Sequence, residues 1–140
     1  MPHARPLSPH LGIYRWRVNM LQSTLHRLTG MVLCAGAVFM TWGIVATASG
    51  ENAWRTFAGF CVSWIGIALL VLWTWSLLFH LCNGIQFLFR DSGKGYDVWN
   101  RNIARKPTYW PTGWLILAVS IALTALVWVV LLTGAFGGAA

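Results

Sequence analysis

From Thr56 to Phe89 the chain carries no Asp, Glu, Lys or Arg, and inside that run stands one imidazole, His80. An uncharged stretch of that length is long enough to cross a bilayer as a helix. An ionisable ring within it is costly in lipid unless it finds a partner, so His80 is the first candidate for function. On a helix, Ser76, His80, Asn83 and Phe87 share a face, with Gly84 one turn above His80. A glycine there removes a side chain where something flat and wide could lie against the helix. Two readings stand open at this point. His80 is bonded to a hydroxyl or carbonyl of a neighbouring helix, or it ligates a cofactor.

The composition says where such a chain can live. Of 140 residues, 57% are hydrophobic and 9% charged, and the mean hydropathy is +0.61. Charged residues normally make up about a quarter of a soluble domain, so this is a membrane protein. Cys34, Cys61 and Cys82 lie inside apolar segments without paired spacing, which gives no disulfide framework, zinc site or covalent haem attachment. The first residues are polar, basic and rich in proline, with no apolar core beside a small-residue cleavage site, so no signal peptide is expected.

In chain order, residues 1–22 read as an extended arm, because Pro2, Pro6 and Pro9 fix φ and remove donors. Its aromatic and basic residues suit the headgroup layer or another subunit. The first span is expected over 23–48. Ser23, Arg27, Gly30, Cys34, Ala37 and Thr41 follow one face of it, and the small members predict a helix-packing seam. At the polar end of that face Ser23 and Arg27, with His26 adjacent, could cradle an oxygen-rich ligand, although Arg27 could also simply snorkel. A short link over 49–55 leads to a second span over 57–89, about 33 residues and roughly 50 Å of helix. That exceeds the hydrocarbon thickness, so it must tilt or protrude. Gly59, Ser63 and Gly66 predict a second small-residue seam. A basic loop follows, then a third span over 114–136 with nothing ionisable, and a tail over 137–140.

Nine of the ten Lys and Arg residues lie before the apolar run that starts at Thr29 or between the second span and the third, and only Arg55 lies on the other side. The positive-inside rule then puts the amino terminus and the long loop in the cytoplasm, and the carboxyl terminus outside. Ser23, Arg27 and His80 all fall in the cytoplasmic half.

Three stretches resemble the cytochrome b556 membrane-anchor subunit of succinate dehydrogenase. They are Arg5-Pro6-Leu7-Ser8-Pro9-His10-Leu11 with Ile13-Tyr14, Ser23-Thr24-Leu25-His26-Arg27-Leu28-Thr29-Gly30, and His80 to Asp91. The resemblance covers about residues 4–133 and implies an all-α integral membrane protein, three spans forming half of a haem-containing bundle that a second small anchor subunit completes. It implies His80 as an axial ligand of a non-covalent haem b, with the second axial histidine from the partner. His26 and Arg27 would lie near the haem propionates, and Ser23 and Arg27 would form the ubiquinone site. Asp91 matches an acidic position of less defined role, and the amino-terminal arm would dock on the iron–sulfur subunit. Succinate oxidation itself would sit on other subunits, the flavoprotein among them, because this chain has no flavin or iron–sulfur motif. The implied setting is a bacterial inner membrane, with the lipid bilayer as surroundings and no nucleic-acid partner. Gln86-Phe87 departs from the Arg-His of many relatives, which weakens a second polar contact to the haem edge. The alternatives are a fumarate reductase anchor running in the quinol-oxidising direction, a haem-free structural anchor, and a small transporter subunit. The last is disfavoured by the absence of any internal repeat or deeply placed charge.

Overall fold

The computed structural model describes the backbone of residues 16–92 and 109–137 and the side chains of 16–92 and 111–134. Of the expected arm over 1–22, residues up to 15 lie outside the described residues, while Val18–Gln22 are already helical; of the basic loop between the second and third spans, 93–108 lie outside them, and so does the tail from 138. Within them every element is helical: α1 Val18–Ser49, α2 Glu51–Val62, α3 Trp64–Asp91 and α4 Tyr109–Gly137. Three helices are long and apolar enough to cross a membrane, over Val18–Ser49, Trp64–Asp91 and Pro111–Gly134.

Where the spacing predicts one long second helix from residue 57, the chain forms two. Gly50 ends α1 at φ 107° and ψ −179°, a conformation open to glycine alone in practice. So α2 begins at once, inside the expected link. Ser63 then leaves the helical region at φ −68° and ψ 156°, and its hydroxyl accepts from the Gly66 N–H at 3.1 Å while donating to the Phe60 carbonyl at 2.6 Å. A Cβ on Gly66 would fall on that same carbonyl, so glycine permits the tight reversal. Ser63 and Gly66 therefore build a helix junction, and Gly59 faces open space; the expected second small-residue seam does not form.

α1 and α3 run antiparallel. Gln22 meets Asn83 and Gln86, Gly30 faces His80, and Gly36 faces Trp73. Among the residues turned inward on α1, which include Val18 and Ala46, Gln22, Thr29, Gly36 and Gly43 are spaced by seven. Of the predicted seam, Gly30 meets α3 at His80, while Cys34, Ala37 and Thr41, about a third of a turn round the helix from the inward stripe, are exposed. That offset is the main correction to the sequence reading: a stripe of small residues marks where a helix can pack, and this chain's own partner helices take the neighbouring stripe.

The packing is polar inside and apolar outside. Among the described residues, six polar side chains (Gln22, Thr29, Ser76, Asn83, Ser120 and Thr124) are buried against three apolar ones, Val18, Ala46 and Phe79. Leu88, Val38 and Trp64 are largely exposed. Lipid is as apolar as leucine, so a membrane bundle loses nothing by turning its large apolar side chains outward. Hydroxyls that point into lipid bond to their own helix instead, as Thr41 does to the Ala37 carbonyl at 2.9 Å and Thr133 to the Val129 carbonyl at 2.8 Å.

A Cβ on Gly36 would land inside the Trp73 indole, whereas one on Gly59 would touch nothing within 4 Å. Gly36→Ala should therefore destabilise the bundle by about 1–3 kcal/mol through overpacking. Gly59→Ala should be neutral or gain up to about 1 kcal/mol of helix propensity. Thermal unfolding midpoints of the purified variants check both. Equal midpoints for the two would remove the close α1–α3 contact.

Candidate functional site

One end of the bundle gathers the polar side chains. His80 sits on α3 three turns before its end, and His26 on α1 two turns after its start. The antiparallel packing brings their rings together, stacked at 3.8 Å between centroids and 9° between planes. Two glycines leave the space. A Cβ on Gly30 would sit 3.4 Å from the His80 Cε1, and one on Gly84 would sit 3.9 Å from the His26 Cε1. The surface that Gly84 clears is thus covered first by the His26 ring.

The hydrogen bonds of His80 fix its tautomer. Its Nδ1 lies 3.1 Å from the His26 carbonyl and 3.3 Å from the Thr29 hydroxyl. A carbonyl only accepts, so Nδ1 carries the hydrogen and donates. The Thr29 hydroxyl has already given its own hydrogen to the Leu25 and His26 carbonyls, at 2.8 and 3.0 Å, so its oxygen accepts from His80 as well. In the neutral ring the lone pair is then on Nε2. A neutral imidazole whose far nitrogen is held by a backbone carbonyl is the usual arrangement of a metal-ligating histidine. Both contacts foreseen in the plainer reading of His80, a hydroxyl and a carbonyl, are therefore present, and both fall on the nitrogen that ligation does not use. His26 Nδ1 is buried and has no hydrogen-bond partner among the described residues.

Just beyond the imidazole pair, a set of amides ties three helices together. Gln22 Nε2 donates to Asn83 Oδ1 and to Gln86 Oε1, both at 3.0 Å, and Gln86 Nε2 donates to the Thr112 hydroxyl of α4 at 2.9 Å. Gln22 and Asn83 are buried, and Gly113 lets Gln22 lie against the α4 backbone, where a Cβ would come within 2.9 Å of Oε1. Gln86 is thus engaged in holding the bundle. Phe87 sets its ring edge-on to His26 at 5.2 Å, and the Arg90 guanidinium lies 5.9 Å from the Phe87 centroid.

Of the residues singled out in the sequence, His26, His80, Gly30 and Gly84 come together. Ser23 is half-buried, Arg27 exposed and Asp91 exposed at the end of α3; the hydrogen bonds and ring contacts of the imidazole pair involve none of the three. Thr29 and Gln22 escaped the sequence reading. The seven-residue repeat through 22, 29, 36 and 43 was the signal that could have found them.

If the Gln22 amide is the donor for the buried Asn83 oxygen and the half-buried Gln86 oxygen, Gln22→Met should cost about 1–3 kcal/mol, because the Asn83 acceptor is left unpaired. Asn83→Leu should then cost less in the Gln22→Met background than alone. The check is a double-mutant cycle on unfolding free energy. Strict additivity would mean the two amides are not coupled.

The comparisons with known proteins agree on one family. The model of the succinate dehydrogenase/fumarate reductase transmembrane subunit matches residues 1–130. The chain is 37% identical to a protein of Rickettsia felis named succinate dehydrogenase cytochrome b556 subunit, over 89% of this chain and 91% of that one. It is 38% identical to a protein of the same name from Paracoccus denitrificans, over 67% of this chain and 72% of that one. A mitochondrial relative from Bos taurus, named succinate dehydrogenase cytochrome b560 subunit, is 36% identical over 67% of this chain and 57% of its own. Together with three apolar helices and a paired imidazole between two of them, these matches place the chain in the succinate dehydrogenase/fumarate reductase transmembrane subunit family, as a cytochrome b anchor subunit of an enzyme complex.

Proposed function

We propose that this chain anchors a succinate:quinone oxidoreductase in the bacterial inner membrane, binds haem b through His80, and forms part of the site where ubiquinone is reduced. The observation that carries the haem reading is the His80 tautomer. Its Nδ1–H is taken by the His26 carbonyl, which leaves the Nε2 lone pair for iron. The buried Nδ1 of His26 has no hydrogen-bond partner among the described residues, and in the tautomer that protonates it this nitrogen would donate to a haem carboxylate or a quinone oxygen. Haem b would supply a one-electron carrier there, held by His80 on this chain and by a histidine that the other small anchor subunit would contribute.

The protein's own residues do the rest. His80 is held in one tautomer and one orientation, so little is reorganised when it takes the metal. Arg27 is exposed at the same end of α1 and offers a permanent cation to propionate or to charge developing on a quinone. Ser23, one turn before it, offers a hydroxyl to a quinone carbonyl. The excess of Lys and Arg at this end sets it in the cytoplasm, facing the iron–sulfur and flavoprotein subunits, with the amino-terminal arm docking there. Asp91 ends α3 on that side. The named relatives carry the succinate dehydrogenase label, which favours succinate oxidation over the fumarate-reducing direction.

His80→Ala in the assembled complex should remove or disturb the low-spin haem b signal in the reduced-minus-oxidised spectrum. An unchanged spectrum with unchanged haem content would end the assignment of His80 as ligand. Ser23→Ala and Arg27→Lys should keep electron transfer from succinate to a water-soluble dye while slowing quinone reduction roughly 10- to 150-fold, the equivalent of one charge-assisted bond of about 1.5–3 kcal/mol made mainly in the transition state. A quinone-to-dye ratio equal to the parent's in both variants would move the quinone site off α1.

A further inference from the structure

α2 is the element that neither the sequence reading nor the proposed chemistry uses. α1 and α3 are both long enough to cross the membrane and run antiparallel, so the twelve residues between them, Glu51–Val62, begin and end at one face of it. That face is opposite to His26 and His80. Twelve residues make about 18 Å of helix, which cannot cross the roughly 30 Å hydrocarbon layer.

The register of α1 against α3 tells how α2 lies. His80 faces Gly30 and Trp73 faces Gly36, so counting back along α3 puts Trp64 about level with Val45 on α1. The other end of α2, Glu51, is separated from Ser49 by Gly50 alone. The two ends of α2 therefore differ in height by about six residues' rise, about 9 Å, for a helix about 18 Å long. It lies closer to the membrane plane than to the bundle axis. Phe57 and Phe60 point from it onto Phe39 and Trp42, with ring centroids 5.0–5.8 Å apart, and the Phe57 ring lies over Gly43.

We propose that α2 is an interfacial helix seated in the phospholipid headgroup layer at the face of the membrane away from the imidazole pair. Two observations fit that occupant. The first is the side-chain distribution. Ala53, Phe57, Phe60 and Cys61 turn toward the bundle, while Asn52, Arg55, Thr56 and Gly59 are exposed. The exposed charges, Arg55 and Glu51, pair with each other at 2.6 Å, so the helix brings no net charge and needs none from the lipid. The second is a band of exposed indoles at the same level. Trp42, Trp54 and Trp64 are 41%, 45% and 81% exposed, and tryptophan concentrates where one end of a side chain is wet and the other greasy. The inference rests on the antiparallel crossing of α1 and α3 and owes nothing to the haem.

The test uses the assembled complex in phosphatidylcholine nanodiscs, with Cys34, Cys61 and Cys82 replaced by alanine. Single substitutions Asn52→Cys, Ala53→Cys, Arg55→Cys, Thr56→Cys, Phe57→Cys and Gly59→Cys are treated with a membrane-impermeant polyethylene glycol maleimide, and the mass shift of this chain is followed on a gel. Positions 52, 55, 56 and 59 should react at least tenfold faster than 53 and 57, with no trend along the helix. Rates that fall steadily from 52 to 59 would mean that α2 dips into the hydrocarbon and would overturn the proposal. Protection of 52, 55, 56 and 59 together, relieved when detergent separates the subunits, would show a protein on that face and would overturn it equally. Thr56 and Gly59 read the far end independently, so one variant that does not assemble leaves the test intact.

Discussion

In hydrocarbon no water waits to take an abandoned hydrogen bond, so the bond from His80 Nδ1–H to the His26 carbonyl governs how α1 and α3 can meet. A helix carbonyl already accepts from the amide four residues on and has a second lone pair to offer. His80 uses it. For this the two backbones must come close, which they do where Gly30 and Gly84 carry no side chain, and His26 must lie flat on the His80 ring. The Thr29 hydroxyl, turned by its own bonds to the Leu25 and His26 carbonyls, completes the acceptor pair. One imidazole nitrogen is thereby satisfied inside the protein and the other is kept for use.

The inward stripe of α1 extends this constraint along the whole helix. Gln22, Thr29, Gly36 and Gly43 recur every seven residues, and each meets α3, α4 or α2 differently: two by hydrogen bonds and two by the lack of a side chain. A seven-residue repeat is the signature of helices that wind slightly about one another, which keeps a single stripe at the contact. Cys34, Ala37 and Thr41, about a third of a turn round, stay outside. Changing the register by one residue would turn Gln22 out to lipid and would break every polar contact between the helices at once.

Much of this could be read from the residues. The spans of α1 and α4 agree with the expected ones to within a few residues, and His80 announced itself as the lone imidazole of an uncharged run. The neighbouring His26 and Gly84 also came out of the pattern. What could not be read has physical reasons. The break at Ser63 depends on a serine hydroxyl bonding across a turn, and serine inside an apolar run reads equally well as helix. The choice between two adjacent stripes of small residues on α1 depends on what α3 presents opposite them, which is a property of two helices together. Gln86 looked like the loss of a basic residue, and only its position beside Gln22 and Thr112 gives it work. Most of the arm and of the basic loop, named in the sequence reading as docking and orienting segments, lies outside the described residues.

The two ends of the bundle are held by different kinds of force. Among the described residues, every side-chain hydrogen bond between the membrane-spanning helices lies at the end of the imidazole pair: Gln22 with Asn83 and Gln86, Gln86 with Thr112, and His80 with Thr29 and the His26 carbonyl. At the other end the contacts are aromatic, with Phe39, Trp42, Phe57 and Phe60 tilted against one another. Hydrogen bonds fail within a few tenths of an ångström and about thirty degrees of their optimum, so they fix position. Ring contacts tolerate sliding over a broad range of geometries. A side chain that must present one lone pair in one direction needs the first kind of support. A short helix between two spans, broken from both by Gly50 and Ser63, can accept the second. The division of polar and aromatic contacts along the bundle therefore follows from what each end has to hold still.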